Sequence, residues 1–377
     1  MGRKIAVNTR LLLPNKLEGI GTFTAEIFKL LCKGNPNDEF HFIFDRAYDP
    51  QFVFEKNVIP HVIYPPARHP LLVKIWYNFS LPWLLKKIKA DIFISPDAIS
   101  SLNLTIPNLT VIHDINFVHR PDDLPKKWSD FYNAYTPIFI EKADRIATVS
   151  EFSKKDIIKT YKISPNKIDV VYNGVKTKFT PLSIDKTSLI THETTKGKPF
   201  FFFIGSLHPR KNLKNLLLAF NEFKKVDKQE FKLIIGGDIM FKFESIQTVY
   251  ESLEFKKDVV FTGRLSDNDL NCFFSEATAL TYVPFFEGFG IPVLEAMACG
   301  TAVITSNTTS LPEVVGDAAY TVSPNSISAI STAMYELSTN KEEVDKLIMK
   351  GFERLKLFTW EKSADALWKS IEKTLLK

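Results

Sequence analysis

The sequence predicts an α/β protein built from two doubly wound parallel sheets, and three observations predict it. At 377 residues the chain exceeds the usual size of a single hydrophobic core. Its 45% hydrophobic and 13% aromatic content suits ordinary globular packing rather than disorder. Short β-rich runs alternate with turn residues and helix-like stretches along the chain, the order expected when parallel strands are joined by crossover helices.

In the first half, KIAVN, FHFIF, DIFIS, LTVIHD, RIATVS and IDVVYN are the candidate strands, and FTAEIFKLLCK has the apolar spacing of an amphipathic helix. A second series opens at FFFFIGS and runs through FKLIIGG, DVVFTG, TALTYV and TAVITS, with NLLLAFNEFKK and IPVLEAMA among the intervening helices. The polar stretch THETTKGKP between the two series sets an N-terminal domain at 1–180 and a C-terminal domain at 181–357. Residues 358–377 have helical spacing and are expected to pack back toward the first domain.

The net charge of +5 is unevenly placed, because residues 1–180 hold 25 Lys/Arg against 18 Asp/Glu and the remainder 23 against 25. A basic first half suits an anionic acceptor or a membrane surface, and equally suits scattered solvated lysines. No basic run is interleaved with aromatics in a nucleic-acid-binding pattern, so nucleic acid is not expected as a partner. Cys32, Cys272 and Cys299 lie far apart and suggest neither a disulfide framework nor a zinc site. The chain opens MGRKIAVNTR without an apolar leader or span, from which a cytoplasmic location is expected. The segment HPLLVKIWYNFSLPWLLKKIKAD mixes Trp76, Tyr77, Phe79 and Trp83 with Lys74, Lys86, Lys87 and Lys89. It reads either as an interior helix broken near Pro82 or as peripheral contact with the inner face of the membrane.

The densest chemical signal runs from Thr278 to Gly300, where a strand ends at Pro284, FFEGFG follows, and a helix begins near Ile291. The free N–H groups of Phe289, Gly290 and Ile291 would point with the helix dipole toward an anion such as a diphosphate. Glu295 sits on an otherwise apolar, buried helix, so its carboxylate needs a partner, either a protein cation or the hydroxyls of a ligand. Glu287 precedes the helix, where easing the dipole competes with contact to a reacting group. In FFFFIGSLHPRKN, Gly205 ends a strand and Arg210 and Lys211 stand at the entry to a helix, an unfavourable place for cations unless a bound diphosphate supplies negative charge. Gly19 and Gly21 in GIGTF would let the backbone approach a ligand, although the nicotinamide fingerprint is incomplete. His113 closes a strand, at the end where open α/β sheets bind ligands. Asp267 and Asp269 form a D-x-D better read as a helix cap with Ser266 than as a metal site.

Taken in order, GIGTF, HD, VSEFSK, YNGV, GSLHPRKN, EGFGIPVLE and AMACGTAVITSNTTSLPEVVGDAA resemble the retaining glycosyltransferases of family 4 over nearly the whole chain. The resemblance implies the GT-B fold, two Rossmann-like domains facing a cleft, and a nucleotide-diphosphate sugar used without a metal or other cofactor. It implies that Glu287 lies near the donor sugar's hydroxyls and that Glu295 binds the ribose. Arg210, Lys211 and the backbone of Phe289 to Ile291 would hold the diphosphate, Arg264 and Leu265 would lie near the base, and His113 would approach the sugar. Ser206 departs from the arginine that many relatives carry after the strand-end glycine. The expected activity is hexosyl transfer, mannose favoured, to a saccharide or lipid-linked acceptor in polysaccharide biosynthesis. An epimerase of the same fold and a non-catalytic sugar-nucleotide-binding protein are the alternatives.

Overall fold

The computed structural model describes residues 2–14, 16–240 and 242–376. Among these residues the strands form two sheets in which every pairing is parallel. The first contains β1 (Lys4–Asn8), β2 (Glu39–Phe44), β3 (Val58–Val62), β4 (Ile92–Ser95), β5 (Asn108–Val111), β6 (Arg145–Thr148) and β7 (Ile168–Val170), in the spatial order β3-β2-β1-β4-β5-β6-β7. The second contains β8 (Phe200–Ile204), β9 (Lys232–Gly236), β10 (Val259–Gly263), β11 (Ala279–Tyr282), β12 (Ala302–Ser306) and β13 (Tyr320–Val322), in the order β10-β9-β8-β11-β12-β13.

Central strands of such sheets are covered on both faces, so their sequences are near-continuous apolar runs. Ile5 to Val7 and Phe201 to Phe203 are fully buried. In the second sheet the phenylalanines stack on partners from the covering elements, Phe201 on Phe231 with ring centres 5.0 Å apart and Phe202 on Phe273 at 5.4 Å. The two strands absent from the sequence reading, β3 and β13, are both edge strands. The first carries Pro60 opposite Phe42, which an edge tolerates because one side of the strand needs no ladder hydrogen bonds. The second is three residues long.

The chain divides into two compact units, Met1–Gly174 with Trp360–Lys377, and Val175–Thr359. The second unit thus begins ahead of residue 181, because Lys176 and Lys178 both pair with Asp267 and Phe179 packs edge-on against Phe274. The first part of the polar stretch THETTKGKP belongs to a helix, Ile184–Thr195, in which Thr191 and Thr195 are buried.

The closing helix Trp360–Leu375 is a member of the first unit. Trp360, Ala364, Leu367, Ile371 and Thr374 recur at helical spacing and are buried, packing on β5 to β7 and on the helix Gly19–Gly34. Ser363 Oγ donates to the Tyr172 carbonyl at 2.5 Å, and Ser370 Oγ and Lys373 Nζ both donate to Asp169. The Arg3 guanidinium lies 4.7 Å over the Trp368 ring.

In each sheet, successive strands build outward one way and then the other, reversing between β1 and β4 in the first and between β8 and β11 in the second. Loops leaving the carboxyl ends of such strand pairs diverge and leave a crevice. The aromatic segment after β3 is a helix Pro70–Ile75, a π turn Trp76–Ser80 and a helix Leu81–Ile88. The irregularity falls at the π turn rather than at Pro82, which occupies the first turn of the last helix, where its missing N–H costs nothing.

Truncating Leu367 to Ala should remove about 2–5 kcal/mol from the first unit, since it empties a fully buried site. Differential scanning calorimetry of the full chain is the check: the transition of the first unit is expected to move down while that of the second stays in place.

Candidate active site

At the reversal of the second sheet, two loops are stitched together. The chain leaves β8 through Gly205 at φ +148°, makes a short 3-10 turn at Pro209–Lys211, and enters the helix Leu213–Lys224 at Asn212. Asn212 Nδ2 donates to the carbonyls of Val283 (2.9 Å) and Pro324 (2.7 Å), and the Phe285 N–H donates to the Arg210 carbonyl at 3.0 Å. The β8 loop is therefore anchored to the loop that follows β11.

These anchors bring two cations against one carboxylate. Lys211 Nζ donates to Glu287 Oε1 at 2.5 Å and to the Tyr282 hydroxyl at 2.6 Å, and that hydroxyl donates to the same Oε1 at 2.9 Å. The Arg210 guanidinium lies 3.4 Å from Oε1 and donates to the Phe286 carbonyl at 3.1 Å. Burial alone would raise the Glu287 carboxyl, but Arg210 and Lys211 outweigh it and hold the group at about 2. Burial and Glu287 push the Tyr282 hydroxyl up, so it stays a neutral donor. His208, in the same loop, is kept at about 3 by burial and by the charges of Arg210 and Lys211, so its imidazole is neutral. Two cations and a carboxylate thus meet at a strand-end crevice, the place where open α/β sheets bind ligands.

The helix Ile291–Ala298 begins beside this cluster. Gly290, its N-cap, has φ +97°, and a Cβ there would stand 2.6 Å from Leu311 Cδ2, so only glycine serves. Ser310 Oγ donates to the carbonyls of Glu287 (2.9 Å) and Phe289 (3.2 Å), fixing the turn. The Phe289 ring is buried against Phe358, with centres 5.6 Å apart. The Phe289 side chain is therefore withdrawn into the interior, and the Val293 N–H closes the first turn on the Gly290 carbonyl at 3.1 Å.

Glu295 lies on that helix and faces Lys176, Lys178 and Asp267. Burial lifts its carboxyl to about 7, with Lys176 and Lys178 opposing and Asp267 adding to the rise. The lysines are engaged by Asp267, Lys176 at 3.1 Å. Among the described residues the Glu295 carboxyl makes no hydrogen bond or ion pair. Asp267 thus serves the lysines and Asp269 completes the cap, its N–H donating to Ser266 Oγ at 3.2 Å. Among the described residues no group of three or more His, Cys, Asp or Glu side chains is arranged to hold a metal ion.

Arg264 follows β10 and pairs with Asp238 at 3.0 Å, while Leu265 packs close to Gly236 at the end of β9. The structure thus gathers Gly205, Arg210, Lys211, Glu287 and the Gly290–Ile291 turn at one reversal point. His113, Gly19 and Gly21 belong to the first unit. His113 follows β5, where Nε2 donates to the Pro96 carbonyl at 2.9 Å, Phe23 packs edge-on 5.0 Å away, and burial lowers its pKa. Gly19 and Gly21 are the first residues of the helix Gly19–Gly34 rather than part of a loop. Smallness at Gly21 is demanded by the Leu11 carbonyl, 2.8 Å from where a Cβ would stand, whereas Gly19 has open space. The sequence reading missed Tyr282, Asn212 and His208. Tyr282 could have been found as a polar aromatic ending an otherwise apolar strand.

Residues 186–354 match the family model described as glycosyl transferases group 1, and residues 18–179 match that of glycosyltransferase family 4. The O-antigen chain mannosyltransferase RfbU of Salmonella typhimurium is 30% identical over 273 residues, 71% of each chain. This chain belongs to glycosyltransferase family 4. The O-antigen chain mannosyltransferase B of Escherichia coli is 26% identical to this glycosyltransferase over 362 residues, covering 92% of this chain and 93% of the relative. In fold it resembles the Anabaena protein HepE solved with UDP-glucose, with a TM-score of 0.78 at 15% identity over 98% of this chain and 99% of the other.

The raised Glu295 carboxyl makes the glycosyltransferase's stability depend on pH. Below its ordinary value of 4.5 the group is protonated folded or unfolded. As pH rises toward about 7 the unfolded chain gives up the proton first, so stability falls across that window. Urea midpoints of wild type and Glu295→Gln should diverge between pH 4.5 and about 7 in favour of the variant. A difference that stays flat with pH would remove the argument.

Proposed function

We propose that this glycosyltransferase moves a mannosyl residue from GDP-mannose to a saccharide or lipid-linked acceptor in polysaccharide assembly, with retention of configuration. The single observation carrying the reading is the pairing of Arg210 and Lys211 with Glu287 beside a helix start at the sheet reversal. The sugar and the pathway are supported by the relatives, which are O-antigen chain mannosyltransferases.

In the reaction the bond from the anomeric carbon to the β-phosphate oxygen breaks, and its electron pair leaves on the diphosphate. The acceptor's hydroxyl oxygen bonds to the same face of that carbon, and its proton passes to the departing phosphate. Charge building on the leaving group is met by Arg210, Lys211 and the backbone of Phe289 to Ile291, preorganised by Asn212, Ser310 and Tyr282. Glu287 keeps the two cations in place and faces the sugar, Glu295 takes the ribose hydroxyls, and Arg264 and Leu265 flank the base. His113 accepts a sugar hydroxyl. In this reading no metal or other cofactor is required, because the two cations and the amides carry the leaving group.

Thermal unfolding is expected to shift upward with GDP-mannose, unchanged by EDTA, and not with NAD. Lys211→Ala should lower mannosyl turnover at least about tenfold, or about 1.4 kcal/mol. A shift with NAD, or donor consumed without transfer to any acceptor, would reject the transferase reading.

We further propose that the enzyme works on the inner face of a membrane, through the segment after β3. Leu71, Phe79 and Trp83 are 59%, 68% and 61% exposed, and Ile75 stands between them at the same four-residue spacing, while Val73, Trp76, Tyr77, Leu84 and Leu85 face the core. From residue 56 to residue 90 the chain has Lys56, Arg68, Lys74, Lys86, Lys87 and Lys89 and no Asp or Glu, so the apolar stripe is rimmed by positive charge. Among the described residues no helix is long and apolar enough to cross a membrane. Sedimentation with vesicles containing phosphatidylglycerol, but not with phosphatidylcholine alone, is the expected result. Phe79→Ser with Trp83→Ser should abolish it at unchanged thermal stability, and equal sedimentation of the double variant would sink the idea.

A further inference from the structure

The reversal point of the first sheet holds a buried charge cluster that the transfer reaction does not use. Arg10, just after β1, pairs through Nε with Asp97 Oδ2, just after β4, and its Nη1 donates to the Ala67 carbonyl at 3.2 Å. Both side chains are buried. The hydroxyl of fully buried Tyr77 lies 3.0 Å from each Asp97 oxygen and receives Asn8 Nδ2 at 2.7 Å. Ser95 Oγ lies 3.1 Å from Asp97 Oδ1 and also bonds the Ile99 carbonyl, while the Ile99 N–H donates to Asp97 Oδ1 at 3.3 Å.

Arg10, Tyr77, Ser95 and the Ile99 N–H all bond Asp97, in the turn from Ser95 to Ile99, and that turn is strained. Ala98 sits at φ +65°, a left-handed conformation that a non-glycine residue keeps only where its surroundings impose it. The turn also presents the Pro96 carbonyl to His113 Nε2 at 2.9 Å. A carbonyl only accepts, so Nε2 carries the proton, and in the neutral ring Nδ1 is then an acceptor. The His113 backbone is held separately, Ser153 Oγ donating to its carbonyl at 3.1 Å, and Phe23 braces the ring.

We propose that Arg10, Asp97 and Tyr77 are positioning residues for His113: they lock the strained 95–99 turn so that the Pro96 carbonyl fixes the Nε2–H tautomer and leaves Nδ1 to accept a sugar hydroxyl. The inference rests on the transferase reading only for its kinetic consequence, since the tautomer can be observed without turnover.

The test has two arms. NMR of protein carrying isotope-labelled histidine, with the resonance assigned by its loss in His113→Gln, should report the Nε2–H tautomer in the wild type and a mixture in Asp97→Asn. An Nδ1–H tautomer in the wild type, or a tautomer unmoved by Asp97→Asn, overturns the proposal. With GDP-mannose as donor, Asp97→Asn should lower kcat roughly tenfold or more at nearly unchanged donor KM. In a His113→Ala background the same substitution should lower kcat less than about twofold, the non-additivity expected when one residue acts through another. Equal losses in both backgrounds would mean a purely structural role. If Asp97→Asn does not fold, Tyr77→Phe, which leaves the ion pair whole, takes its place in both arms with the same outcomes. Absence of any turnover in the wild type would count against the transferase reading while leaving the tautomer result to decide this one.

Discussion

A single carboxylate, that of Glu287, ties together the two loops on which the candidate site of the second unit depends. Its Oε1 receives Lys211 from the loop after β8 and Tyr282 from the end of β11, with Arg210 close by. The loops leave neighbouring strands of a sheet that reverses direction there, so nothing in the strand ladder itself holds them together. The carboxylate does, helped by Asn212 reaching across to the Val283 carbonyl. Without it, two cations would face each other at the mouth of an apolar sheet.

Buried ion pairs are weak devices for stability, because desolvating both charges cancels much of their attraction. They are strong devices for geometry, because removing one partner leaves the other charge stranded. The same device occurs at the reversal of the first sheet, where Arg10 and Asp97 pair after β1 and β4. In both units a buried tyrosine, Tyr77 or Tyr282, bonds the carboxylate and is kept a neutral donor by burial. Each unit thus sets a cation, a carboxylate and a tyrosine in contact at its sheet reversal. In the second unit two cations, Arg210 and Lys211, meet the one carboxylate, whereas in the first a single arginine pairs with a single aspartate.

Much of the fold was legible in the amino-acid order. The central strands bury both faces, so their apolar runs are unmistakable, and the alternation with helical spacing implies parallel crossovers. Two of the four edge strands lack that signature: β3 contains a proline and β13 is short, and both were missed. The extent of the second unit was legible only roughly, because the polar stretch THETTKGKP read as the boundary while the helix Ile184–Thr195, and the pairing of Lys176 and Lys178 with Asp267, depend on distant residues. Among site residues, Gly290, Arg210, Lys211 and Glu287 announced themselves by type and spacing. The GxG at 19 and 21 reads as a loop, whereas tertiary contacts make it the first turn of a helix with Gly21 close to the Leu11 carbonyl.

The sequence by itself determined the class of fold, the membership in a glycosyltransferase family and the residue types available for a diphosphate, because these follow from local pattern and short motifs. Tertiary structure alone decided which charges meet. Glu287 stands at about 2 and Glu295 at about 7, though both belong to one nine-residue motif, because one is enclosed by Arg210 and Lys211 and the other faces lysines already held by Asp267. It also decided that His113 donates through Nε2, since the Pro96 carbonyl comes from another strand end. Such facts depend on distances of a few ångströms between segments far apart in the chain, and no local pattern encodes them.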